Sequence, residues 1–112
     1  MTEFVDSLHD VFSKFGRIST RRMFGGHGIY HEGLMFALVA DDVLYLKADA
    51  ESSVLFDELK LPPFVYVKKG KTMKMSYHMA PEEIYDDPEQ ARDWANRAYE
   101  AALRSRKPKK KS

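Results

Sequence analysis

Apolar residues recur at Phe4, Val5, Leu8, Val11, Phe12 and Phe15, spaced by three and four, which predicts an amphipathic helix over about residues 3–15 with Gly16 as its stop. The stretch from Arg17 to Phe24 reads as extended, and Gly25, Gly26 and Gly28 then interrupt any regular pattern. From residue 28 short apolar runs alternate with two-residue polar links. Gly28-Ile29-Tyr30-His31 leads into a Glu32-Gly33 turn, Leu34 to Ala40 follows, and Asp41-Asp42 turns the chain again before Val43 to Lys47. Such runs predict an antiparallel meander. Leu34 to Ala40 is apolar almost throughout, which places it at the centre of the sheet.

Asp49 can cap a short helix to about Leu59, with Val54, Leu55 and Leu59 on its inner side, and Leu61-Pro62-Pro63 ends it. A second hairpin runs from Phe64 to Lys69, turns at Gly70 and returns from Lys71 to His78. In the return strand Met73, Met75 and Tyr77 alternate with Thr72, Lys74 and Ser76, the pattern of a half-buried strand. Residues 80–85 form a connection with room for one helical turn. Asp87-Pro88-Glu89-Gln90 then marks a helix start, with Asp87 as N-cap, Pro88 at the first helical position and Gln90 placed to close a capping box. This helix should reach about Ser105 and bury Ala91, Trp94, Ala95, Ala98 and Ala102, with Tyr99 beside them.

The element order is α, three or four strands, α, two strands, α. Strands grouped in hairpins, with helices between the groups, define an α+β fold of two layers, an antiparallel sheet covered by helices on one face. One core should gather Phe12, Phe36, Leu38, Leu46 and Trp94.

Composition adds exclusions. With 112 residues and 31% charged side chains the chain has the size and make-up of one globular domain. It has no cysteine, so a disulfide framework and thiolate chemistry are out. The first residues lack a basic start and an apolar run, and no stretch is long and apolar enough for a membrane span, so the expectation is a cytoplasmic protein without membrane contact. The net charge of +1 is unevenly placed. Residues 104–112 hold six cations and no acid, which leaves −5 for residues 1–103. The expected division is a folded domain over 1–103 and a basic, disordered tail over 104–112.

The segment Arg21-Arg22-Met23-Phe24-Gly25-Gly26-His27-Gly28 is the most unusual in the chain. Glycines permit close backbone approach, and with Arg21 and Arg22 beside them Gly25, Gly26 and Gly28 are candidate contacts for an anion or nucleic acid. The plainer reading is a bend between strands with Met23 and Phe24 in the core, and this is preferred because neither a phosphate loop nor a dinucleotide fingerprint is present. His27 and His31 are four residues apart, without the three or four ligands a zinc site needs, so the four histidines are read as surface or hydrogen-bonding groups. Ser76 and His78 share a strand face but lack an orienting acid and an oxyanion hole, so no catalytic residue, metal or cofactor is assigned. Tyr30, Tyr45, Phe64, Tyr66 and Tyr77 fall on strands. On an open sheet face near Lys and Arg such rings stack on single-stranded nucleic acid, although core or interface packing is the commoner use. Lys107, Lys109, Lys110 and Lys111 in the tail suit weak, salt-sensitive nucleic-acid contact, or simple solubility.

The glycine segment, followed by Met35-Phe36-Ala37-Leu38, Leu44-Tyr45-Leu46-Lys47, Phe64-Val65-Tyr66, Met75-Ser76-Tyr77 and Pro81-Glu82-Glu83, resembles the N-terminal domain of the TfoX/Sxy family of bacterial competence regulators. The resemblance spans roughly residues 10–103. It implies a secretion-chaperone-like α+β fold and a role in expressing competence genes with a protein partner in the transcription machinery. The chain reads as a single-domain member, with the lysine tail where longer members carry a second domain. The expected function is therefore a non-enzymatic regulatory domain acting mainly through protein contacts. The alternative is a nucleic-acid-binding module using Arg21, Arg22 and the tail. A homodimer is also expected, with Met73, Met75 and Tyr77 as its seam if the last strand is a sheet edge.

Overall fold

The computed structural model describes residues 3–23 and 25–106, with backbone alone at Tyr66, Lys68, Met73 and Lys74. Helix α1 (Glu3–Val11) is followed by strands β1 (Ser19–Met23), β2 (Gly26–His31), β3 (Leu34–Ala40) and β4 (Val43–Lys47). Helix α2 (Ser53–Glu58), strands β5 (Pro63–Lys68) and β6 (Lys71–Met79), a 3₁₀ turn at Glu82–Tyr85 and helix α3 (Pro88–Arg106) complete the chain. The strands form one antiparallel sheet in the order β1-β2-β3-β4-β6-β5. This is the α+β architecture that the sequence pattern predicts.

Three of the hairpins close as expected. Glu32 and Gly33, Asp41 and Asp42, and Lys69 and Gly70 all have positive φ. Two such residues in succession give the turn whose twist matches that of the flanking strands. Asp tolerates this conformation better than most side chains because its carboxylate bonds locally.

Register assigns the side chains to faces. Thr20, Ile29, Ala37, Leu46, His78 and Pro63 stand opposite one another across all six strands, and the helices pack on this row. The pairing shifts between Ile29 opposite Ala37 and Tyr30 opposite Met35, so Phe36 is an extra residue in β3. Such a bulge puts two residues of one strand against one of the next. Consecutive Phe36 and Ala37 both join the helix-side core, each fully buried. The bulge also reverses the alternation beyond it. Leu38, expected in the core with Phe36, is buried on the opposite face, in register with Gly28 and Tyr45.

All three helices lie on one side. Phe12 and Phe15 pack on Phe36 with ring centroids 5.6 and 5.1 Å away, and Tyr99 of α3 meets Phe15 at 6.1 Å. At the other end of α3, Trp94 packs against Phe56 of α2 at 5.2 Å. Helix α1 is shorter than its apolar stripe, since after Val11 the chain turns through Phe15 and the Gly16 N–H reaches the Phe12 carbonyl. In α2 the inner residue is Phe56, fully buried, while Val54 and Leu59 are exposed and only Leu55 is half-buried as expected. Asp87 caps α3 as its sequence indicates, its Oδ1 accepting the Glu89 and Gln90 N–H groups at 3.1 and 3.3 Å.

Asp49 has a larger role than capping. Its Oδ1 accepts the Ser52 N–H at 2.9 Å, its own N–H donates to Ser52 Oγ, and Arg104 donates Nε to Oδ2 at 2.6 Å and Nη2 to Oδ1 at 3.2 Å. The two-point ion pair ties the end of α3 to the turn before α2. Arg104 to Arg106 are therefore helical, and residues 107–112, which include the tail lysines, lie outside the described residues.

The expectation that β6 is an edge does not hold, because β6 lies between β4 and β5. Among the described residues the free edges are β1 and β5. Tyr77 is half-buried inside the sheet, and Met73 and Met75 lie on the same interior strand.

Two predictions follow from this packing. Trp94→Ala removes the ring joining α3 to α2 and is expected to cost about 3–5 kcal/mol, read as a lower urea midpoint. Coinciding midpoints would remove Trp94 from the core. The Arg104 hydrogen bonds hold the Asp49 carboxyl at about 2, below its usual 3.8, against the opposing effect of burial. A lowered native pKa stabilises fully above the unfolded value and loses that contribution as pH falls through the native one. Asp49→Asn should thus melt below wild type above about pH 4, and the gap should close on approaching about pH 2. A gap independent of pH over that range would show that the ion pair contributes nothing.

Candidate interaction surface

The face of the sheet away from the helices carries its own layer of large side chains. Across it run Arg21, Gly28, Leu38, Tyr45 and Met79 in register, with Lys47 opposite Tyr77. Leu38 is only 4% exposed although no helix lies on it. Met23, Met35 and Tyr30 converge over Gly28, where an added Cβ would stand 3.0–3.1 Å from all three. Tyr45 packs on Phe64 of β5 at 4.9 Å. Two cations lie over rings, the Arg21 guanidinium 5.4 Å from the Tyr30 centroid and the Lys47 ammonium 5.1 Å from that of Tyr77.

Burial shapes the titration of this layer. It pushes the Tyr77 hydroxyl up to about 12, with the Tyr30 phenol adding to the effect. It pulls the Lys47 ammonium down, with Asp49 opposing. Both directions follow from the cost of charge in a partly dry site.

Charge is segregated in the same sense. The six strands contain no Asp or Glu, and the chain's 17 carboxylates all belong to helices, turns and loops. Arg21 and Lys47 therefore face outward with no acidic strand residue beside them.

The glycine segment is divided by the sheet. Arg21 joins the layer just described. Arg22 points to the opposite face, where it stands opposite His27 in the strand register and borders an open groove with Val5, Asp6, Thr20, Gly25 and Gly26. Gly26 and Gly28 lie within β2, and only Gly25, with φ of 75°, belongs to the turn. Met23, expected in the core, is half-buried on the helix-free face, and Phe24 lies outside the described residues. Arg21 and Arg22 thus do not form one cradle. Gly28 is closed over by its neighbours, and Lys107, Lys109, Lys110 and Lys111 are not among the described residues.

Two of the four histidines, His31 and His78, are used as hydrogen-bonding groups. His31 Nδ1 donates to the Arg17 carbonyl at 2.8 Å, and its ring sits 4.6 Å from Phe15 and 5.1 Å from Tyr99. Gly16 makes room for it, since a Cβ there would lie 2.8 Å from the ring. His78 Nδ1 donates to the Leu61 carbonyl at 2.8 Å and its ring stacks on Phe56. That carbonyl occupies the place an orienting carboxylate takes in a hydrolytic triad. Met75 borders a groove with Ser53, Asp57, Ser76 and His78. Among the described residues no three His, Asp or Glu side chains converge on a metal position, and no helix is long and apolar enough to cross a membrane.

The structure thus defines a class, a two-layer α+β domain with helices on one face of an open antiparallel sheet and an aromatic, methionine-rich, cationic layer on the other. The chain belongs to the TfoX N-terminal domain family, whose family model matches residues 10–102. It is also 35% identical over 77 residues to the DNA transformation protein TfoX1 of Aliivibrio fischeri, a match covering 69% of this chain and 37% of that relative. The chain thus spans little more than a third of the curated relative it matches.

Sequence reasoning missed the separation of Arg21 from Arg22, although alternation in a strand signals it. It had no local signal for the close approach at Gly26. A Cβ there would stand 2.0 Å from the Val39 carbonyl oxygen, whereas at Gly25 nothing lies within 4 Å. Gly26→Ala should therefore destabilise the domain at or beyond the upper end of the roughly 1–3 kcal/mol typical of overpacking. Gly25→Ala should cost only about 1 kcal/mol of backbone strain. Thermal melts that rank the two equally would show that β2 does not hold this approach to β3.

Proposed function

We propose that this chain is a cytoplasmic regulatory domain of bacterial competence, acting on gene expression through protein contacts and without catalysis. Family membership and the relative named as a DNA transformation protein support the role. The observation that carries the mode of contact is the free edge of β5. Val65 and Val67 are 47% and 63% exposed on that strand, side by side on one face, and among the described residues no other strand pairs with its outer side. A strand from a partner in the transcription machinery adds there by main-chain hydrogen bonds, and its apolar side chains cover the two valines. Pro63 at one end of β5 and Lys69 at the hairpin tip limit indiscriminate pairing along the same edge.

A second copy of the chain is the other occupant this edge accepts, which moves the expected homodimer seam from β6 to β5. A sedimentation mass that stays at 13.0 kDa assigns the edge to a different protein.

The test is genetic. Removing the gene from its host should lower transformation frequency and the transcripts of transformation genes, and wild type should restore both. Val67→Asp should fail to restore them while melting within the about 0.5 kcal/mol typical of surface changes. Full restoration by Val67→Asp would move the contact away from β5, and a deletion without effect on frequency or transcripts would end the regulatory reading.

A further inference from the structure

We propose that the helix-free face of the sheet is a binding platform for single-stranded nucleic acid, with bases stacking on Tyr30, Tyr45 and Tyr77 and phosphates held by Arg21 and Lys47. The platform is separate from the free backbone edge of β5 and independent of the protein-contact reading.

Three observations lead here. The first is charge. A domain whose residues 1–103 carry −5 holds every carboxylate outside its strands and presents Arg21 and Lys47 on this face, so the face is complementary to an anionic polymer. A second copy of the same face is disfavoured, because it brings Arg21 and Lys47 against their own counterparts. The second is ring chemistry. Tyr45 and Tyr77 stand on neighbouring strands, and Tyr30 lies two strands beyond Tyr45. Three of four adjacent strands thus carry a tyrosine on this face, a span comparable to that on which nucleic-acid-binding sheets seat roughly two or three bases. The Arg21 guanidinium lies over the Tyr30 ring, and such a plane itself stacks on a base while donating to phosphate. The third is solvation. Lys47 is already partly dried by its surroundings, with its ammonium 5.1 Å from the Tyr77 ring centroid, and a phosphate adds to the counter-charge that Asp49 supplies. Single strands are favoured over duplex because a flat sheet face offers stacking surfaces that paired bases cannot reach.

The experiment is an anisotropy titration of the full chain against a labelled oligothymidylate of about 12 nucleotides, within the range such sites cover, repeated from about 50 to 200 mM salt. Wild type is expected to bind. Arg21→Ala with Lys47→Ala should lower the salt slope by about 1.4, corresponding to two phosphates on a single strand. Tyr30→Leu should keep the slope and weaken binding roughly tenfold, the loss of one stacked base. Arg21 is exposed, so Arg21→Ala alone, with a slope change of about 0.7, carries the test if the double variant melts early. The basic tail is present in all these proteins. Superimposed curves therefore assign binding to the tail and overturn the proposal, as does an absence of binding at the lowest salt. Displacement of the oligonucleotide by polyglutamate at equal charge also overturns it, since the face then reads negative charge alone and an acidic peptide is its partner.

Discussion

Ala91, Ala95, Ala98 and Ala102 give α3 a face without long side chains, and that face lets the helix lie close against β3 and β4. The other elements are placed by this contact. Trp94 projects to one flank and meets Phe56, which fixes α2. Tyr99 projects to the other and meets Phe15 and His31, which fixes the end of α1. Arg104 adds a polar tie where the helix passes the turn before α2. One helix with a smooth inner face and an aromatic on each flank therefore organises a layer that two short helices could not hold alone, since isolated helices of that length are marginal.

A single layer of helices can cover only one side of a six-stranded sheet. The other side is a second, thinner layer built from the strands' own side chains, in which Leu38 is shielded by methionine and tyrosine instead of by helix. Methionine suits this use because it is flexible and polarizable and fits against rings. The arrangement leaves cations at the surface of the layer and acids elsewhere, so the two faces differ in charge as well as in cover.

The glycine segment, the most conspicuous feature of the sequence, serves the sheet before any ligand. Gly26 admits the Val39 carbonyl and Gly28 admits three side chains, and these approaches bring β2 against β3 on one face and complete the tyrosine–methionine layer on the other. The arginines beside them are then delivered to opposite faces by simple alternation. What looks like one basic, glycine-rich loop in the chain becomes two separate surfaces in the fold.

The features legible in the sequence are those set by neighbours along the chain. The turns at Glu32-Gly33, Asp41-Asp42 and Gly70 close hairpins with the backbone signs such turns require, Lys69 joining Gly70 in the last of them. Asp87 and Pro88 start α3 where they stand, and the alanine spacing of α3 marks its inner face. The family was legible too, because its motifs follow one another in order. What the tertiary structure alone decided depends on contacts distant along the chain. A six-residue helix is too short for periodicity to fix a face, so Phe56 turned inward where Val54 and Leu59 were expected. The Phe36 bulge, which no local pattern announces, reversed the alternation and moved Leu38 to the other face. Above all, β6 inserted beside β4 and left β5 at the edge, because strand order depends on which pairing best covers the core.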